Sequence, residues 1–176
     1  GAHNDGNGPV TLMRHVEEAF RAQLPNVLAL RPAYFMENFL GNLGTIRSDG
    51  AWYMPQPADT KMPLVATRDI ARVAAEELRA TWSGNRYRGI HGPEDLSMGE
   101  VADILTGVLE RNVSFVSVPL EGALDGMRGA GVPEFVVSLY RGMLEGLGNG
   151  RMVPAEPRSA QTTTPTSFAT FAREVL

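Results

Sequence analysis

A chain of 176 residues with 43% hydrophobic content is long enough for one domain with its own core and too short for two ordinary ones. Its formal net charge of −4 and pI near 5.4, with no run of Lys or Arg, exclude the basic footprint of a nucleic-acid binder. The absence of cysteine removes disulfides, zinc–thiolate sites and thiol nucleophiles together. No apolar run approaches the roughly 18 residues that span a bilayer, so the expected setting is the cytoplasm, away from membranes.

The first nine residues are Gly/Asn-rich, lack a methionine and do not read as a natural domain start. From residue 10 to 23, Val10, Met13, Val16 and Phe20 recur at helical spacing, with Arg14, Glu17, Glu18 and Arg21 on the other faces. Pro25-Asn26 ends that helix. Residues 27–30 are uniformly apolar and too short for anything but a buried strand of a parallel sheet. Residues 34–43 return to helical spacing. Residues 44–63 carry Gly50, Pro55, Pro57 and Pro63 and read as loop, with a short strand at 51–54 and another strand at 64–66.

Thr67-Arg68-Asp69 supplies a helix start in which Asp69 is the expected cap, and Ile70, Val73, Ala74 and Leu78 continue an amphipathic helix to about Trp82. Residues 87–91 read as a strand, followed by a turn at Gly92-Pro93-Glu94-Asp95. Ser97 and Glu100 stand three apart before Val101, Ile104, Leu105 and Val108, the signature of a capping box. A β-rich run at 113–118 precedes helices near 119–127, 135–147 and 168–175, with a Gly/Pro/Thr-rich loop at 148–165. Strands alternating with helices give an α/β class with a parallel sheet, and the strands are too few for a complete doubly wound fold.

One segment stands out chemically. Leu28-Ala29-Leu30-Arg31-Pro32-Ala33-Tyr34-Phe35-Met36-Glu37-Asn38 runs from a buried strand through Arg-Pro towards a helix, and ligands of open α/β sheets lie at such carboxyl ends. Proline fixes φ and has no N–H, so strand pairing stops there and the chain turns away.

That stretch resembles the NmrA-like branch of the atypical short-chain dehydrogenase/reductase superfamily, and the rest of the chain follows that family's C-terminal half in order. The resemblance implies the last elements of an incomplete Rossmann-like parallel sheet plus a small mixed α/β substrate subdomain. The expected division is 1–82 for the Rossmann-like part and 83–176 for the smaller subdomain interleaved with it. It further implies NADP or NAD as cofactor, contacted at its nicotinamide end by Tyr34, Phe35, Met36, Glu37 and Asn38. Read without the resemblance, Tyr34, Phe35 and Phe39 are core aromatics, Glu37 is a surface charge and only Asn38 needs a polar partner.

Carbonyl reductases of the wider superfamily place a Tyr and, four residues on, a Lys on the helix before this strand, one turn apart on one face. Counting back from Arg31 by the family's spacing, those positions fall on Pro9 and Met13, and neither can move a proton. His15 reads as a solvated or interfacial residue. Thr67-Arg68-Asp69-Ile70-Ala71 resembles the family's strand-to-helix junction beside the substrate cleft, and His91-Gly92-Pro93 with Ser97 its turn before the C-terminal subdomain.

Neither glycine cluster qualifies as a dinucleotide fingerprint. Gly6-Asn7-Gly8-Pro9 follows no strand and puts a proline where a donor is needed, and Gly146-Leu147-Gly148-Asn149-Gly150 follows a helix and reads as its end. The three histidines are too scattered for a metal site, and no catalytic residue is assigned. The chain as given is therefore expected to bind a dinucleotide weakly or not at all.

Three functional readings follow. The chain is the C-terminal part of an NAD(P)H-dependent reductase of quinones or small carbonyl compounds, acting by direct hydride transfer without the Tyr/Lys pair. Alternatively it belongs to a non-catalytic redox sensor that binds NAD(P) and a partner protein. In the third, these residues alone complete their sheet by homo-oligomerisation, and the apolar strand at 27–30 must then be paired or covered.

Overall fold

The computed structural model describes residues 2–176. Helix α1 (Pro9–Gln23) leads into β1 (Val27–Pro32), which pairs in parallel with β5 (Asn85–Ile90) from Val27↔Asn85 to Pro32↔Ile90. The chain then shifts sideways: β2 (Tyr34–Phe35) pairs in parallel with β4 (Met62–Val65), and β6 (Asp95–Leu96) lies antiparallel on the far side of β4. Two bonds stitch these sheets together, Ala33 N–H to Ile90 O at 2.9 Å and Gly92 N–H to Leu64 O at 2.6 Å. A third parallel pair joins β3 (Ala51–Met54) to β7 (Ser114–Ser117).

Helix α3 (Thr67–Arg79) follows β4 directly, α4 (Met98–Leu109) follows β6, and α5 (Leu120–Gly129), α6 (Glu134–Gly148) and α7 (Phe168–Val175) complete the chain. The α/β class and the parallel pairing agree with a partial Rossmann-like sheet. No helix among the described residues is long and apolar enough to cross a membrane.

The main core is an aromatic layer. Phe39 meets Trp52 at 5.0 Å and Phe168 at 4.9 Å between ring centroids, both edge to face, and Trp52 stacks obliquely on Phe115 at 4.7 Å. Met36, Ile46, Met98, Val101 and Leu105 close around them. The capping box of α4 is present in full: Glu100 N–H donates to Ser97 Oγ at 3.2 Å, and Ser97 N–H donates to the Glu100 carboxylate at 2.8 Å.

Three local expectations are corrected. Residues 34–43 are not one helix: Tyr34–Phe35 is a strand, Met36–Asn42 a 3-10 helix and Leu43–Asp49 a separate helix, α2, within the stretch read as loop. The backbone of residues 34–35 is captured by β4, which overrides a helical spacing that residues 34–43 do carry. Asp69 is not the cap of α3 either. The capping position belongs to Ala66, and the buried Asp69 carboxylate instead accepts Thr166 N–H at 3.1 Å from the far end of the chain.

Helix α1 is turned outward. Its charged side faces β1 and β5, with Glu17 held by Arg31 at 2.6 and 3.0 Å and Arg21 donating to Arg86 O. Its apolar side, Leu12, Met13, Val16 and Phe20, with Leu24 just beyond it, is exposed, and no residue of α1 is buried. Beside it, β1 has β5 on one edge and no strand on the other among the described residues.

Candidate functional site

The carboxyl ends of four strands converge. Pro32 ends β1, Phe35 ends β2, Val65 ends β4 and Ile90 ends β5; β1 runs parallel to β5, β2 parallel to β4, and the two bonds across Ala33 and Gly92 bring the ends to one edge. Gly92 makes the approach possible, since a Cβ there would land on the Leu64 carbonyl. An edge of this kind is where ligands of open α/β sheets lie.

The five residues singled out on this edge have different surroundings. Phe35 is exposed (38%) and so is Asn38, an aromatic ring and an amide three residues apart. Tyr34 packs edge to face on Phe39 at 6.0 Å. Burial pushes its phenol above the usual range, and a hydrogen bond with the Asn38 side chain opposes that shift. Tyr34 is therefore a neutral hydroxyl at physiological pH. Met36 is 1% exposed and points into the core.

Glu37 is engaged with the protein itself. Its carboxylate accepts Thr67 N–H at 2.9 and 3.1 Å and Thr67 Oγ1 at 2.6 Å, so it caps α3 from outside and sits at the positive end of that helix. The same first turn is tied to the C-terminal region through Asp69 to Thr166, Arg68 Nε to Thr166 Oγ1 at 3.2 Å and Arg68 to Glu174. Segment 34–38 is thus positioned by α3. Neither the Glu37–Thr67 pair nor the Asp69–Thr166 bond has a signal in the sequence, because each joins residues 30 to 97 apart.

The pair Glu17–Arg31 holds α1 antiparallel to β1, so the start of α1 stands on the same side as the carboxyl end of β1. Pro9 and Met13, in the places the Tyr and Lys would take, lie in this first part of the helix, and Met13 is 55% exposed. His15 is exposed on the same helix. Among the described residues no group of three His, Asp or Glu is placed to hold a metal.

The loop before α1 is committed to internal packing. Asn7 N–H donates to Thr11 Oγ1 at 3.0 Å, Asn4 Nδ2 donates to Arg151 O at 2.7 Å, and Gly8, at φ +53°, lies so close to α6 that a Cβ would overlap the Leu139 carbonyl. Gly142 and Gly146 of α6 admit this loop. A pyrophosphate cradle needs free backbone N–H groups at a strand-to-helix turn. These residues do not form one.

The model of the NmrA-like family matches residues 14–149. The chain belongs to the NmrA-like family. Within and around this family, it is 37% identical over 105 residues to the NAD(P)H azoreductase of Xenophilus azovorans, an alignment covering 60% of this chain and 36% of that protein. Among solved structures it resembles the NADPH-dependent quinone oxidoreductase of Escherichia coli complexed with NADPH, with a TM-score of 0.82 and 15% identity over 99% of this chain and 62% of that one. It also resembles NmrA, a negative transcriptional regulator, in complex with NADP, with a TM-score of 0.66 and 17% identity over 94% of this chain and 56% of that one. The chain therefore spans between about a third and three-fifths of the length of these NmrA-like and related proteins.

Proposed function

We propose that this chain carries the nicotinamide-facing and substrate-facing part of an NAD(P)H-dependent reductase of quinones or small carbonyl compounds. The observation that carries the reading is the convergence of four parallel strand ends at an exposed aromatic and amide, Phe35 and Asn38, on a segment anchored by Glu37 to α3. The pyrophosphate end would be gripped by a further α/β layer, docked where β1 has an open edge and α1 turns its apolar stripe outward. The greater length of the relatives supports that addition.

Bound at this edge, a reduced nicotinamide would supply a hydride. The chain's own contribution is placement: the ring of Phe35 offers an apolar surface, Asn38 an amide donor and acceptor, and Tyr34 a hydroxyl that stays protonated. Pro9 and Met13 hold no proton to give. A quinone suits such a site, because after it takes a hydride its second oxygen can draw a proton from water.

A second reading is favoured by the same pair of residues: with no proton donor at position 9 or 13, the protein would bind the dinucleotide and report its redox state to a partner protein. Steady-state oxidation of NADPH in the presence of a benzoquinone, measured on the polypeptide with its upstream sequence, separates the two. Turnover dependent on both reagents supports the reductase, and saturable NADPH binding without turnover supports the sensor.

A further inference from the structure

His91 has no role in that reading. It is 3% exposed, and its Nε2 is buried with no hydrogen-bond partner. It sits one residue beyond β5, at the carboxyl-end edge, against segment 156–166, which carries a turn at 159–163.

That segment is fastened to β5 largely through His91 and its neighbours. His91 N–H donates to Thr162 O at 2.7 Å, Thr164 N–H donates to His91 O at 2.7 Å, and Thr164 Oγ1 donates to the same oxygen at 2.9 Å. Gly89 N–H donates to the Glu156 carboxylate, Arg158 donates to Gly92 O and to Asp95, and Arg88 Nε donates to Gln161 O at 3.2 Å. Just past Thr164, the strap reaches α3: Thr166 binds Asp69 and Arg68, in the same turn whose Thr67 holds Glu37.

We propose that residues 156–166 form a pH-sensitive strap: protonation of the buried His91 imidazole lifts the strap from the end of β5 and loosens the turn of α3 that anchors Glu37 and segment 34–38. Protonation would place a second cation beside the Arg158 guanidinium and leave a buried N–H without an acceptor. Two carboxylates face the imidazole. Glu156, on the strap, is already engaged by Gly89 N–H, and Asp95, on β6, by Arg158. Burial acts first, and Arg158 adds to it, so the imidazole sits below its ordinary value of 6.5 despite Asp95 and Glu156. The sign follows from that direction. Above 6.5 the strap is at full strength, and as pH falls below 6.5 the released imidazole binds a proton that the closed form refuses.

The test is a histidine-labelled NMR titration of the chain, with amide exchange of His91 and Thr164 corrected for intrinsic rates. The His91 resonances, assigned by their loss in His91→Asn, are expected to titrate below 6.5. Protection at Thr164 should fall with falling pH, about tenfold for each unit by which the closed imidazole lies below the free one. In His91→Asn the pH dependence of that protection should vanish. Should that variant fail to fold, Asp95→Asn serves instead: removing a carboxylate should lower the pH at which His91 titrates in the closed chain, and so enlarge the total loss of Thr164 protection between 6.5 and that point. Titration of His91 at or above 6.5, strap protection that ignores its protonation, a pH dependence that persists in His91→Asn, or a loss of Thr164 protection that does not grow as His91 titration moves down in Asp95→Asn each overturn the proposal.

Discussion

Phe39 packs edge to face with Trp52 and Phe168 in a closed layer, whereas Leu12, Val16 and Phe20, an equally apolar stripe, lie with Leu24 on the outside of α1. The two regions use the same chemistry and end in opposite environments. The layer around Phe39 recruits residues from across the chain, from Met36 to Ala172, and needs nothing further. The α1–β1 edge turns charges inward and hydrophobic groups outward, and β1 has one edge without a strand among the described residues. An exposed apolar stripe of this kind is a candidate packing surface, so the contrast separates an apolar cluster closed within the chain from one left open to solvent.

Mutations can break or sharpen this contrast. The largest effect is expected from Phe39→Ala, which empties the centre of the aromatic layer and should cost about 3–5 kcal/mol in denaturant unfolding. Gly92→Ala comes next. Its methyl would meet the Leu64 carbonyl, where the two sheets are stitched, and a loss of roughly 1–3 kcal/mol is expected. Glu37→Ala removes the cap of α3 and should cost about 1 kcal/mol, with faster amide exchange at Thr67 as the local readout. Phe20→Ser should be the mildest, within about 0.5 kcal/mol, while reducing self-association in size-exclusion chromatography. If Phe20→Ser destabilises the chain as much as Phe39→Ala, the edge is part of the core and the contrast fails.

Much of this was legible in the sequence for identifiable reasons. The capping box at Ser97 and Glu100 and the helix from Thr67 are local patterns present as read, whereas the strand read at 27–30 runs on in register with β5 through Arg31 and Pro32. Residues 34–43 misled because a helical spacing persists in a segment whose first two residues are captured by β4, 30 residues away. Asp69 misled in the same way: a carboxylate in a helix's first turn reads as a cap, but its partner, Thr166, comes from the far end of the chain. The Glu37–Thr67 pair and the His91 strap are likewise products of tertiary contact. Segment 34–38 was singled out through its family likeness; what the fold adds is that Met36 faces the core and Glu37 faces α3, leaving Phe35 and Asn38 outward.

The central claim is that this chain holds the ring end of a dinucleotide site and lacks the phosphate grip, and amide NMR of the 176 residues during an NADPH titration tests it most directly. Weak, unsaturated shifts confined to segment 34–38 and the first turn of α3 are the expected result. Tight, saturable binding with large shifts at Asn4, Asn7 and Gly8 would contradict it, because the loop now packed on α6 would then be the grip itself.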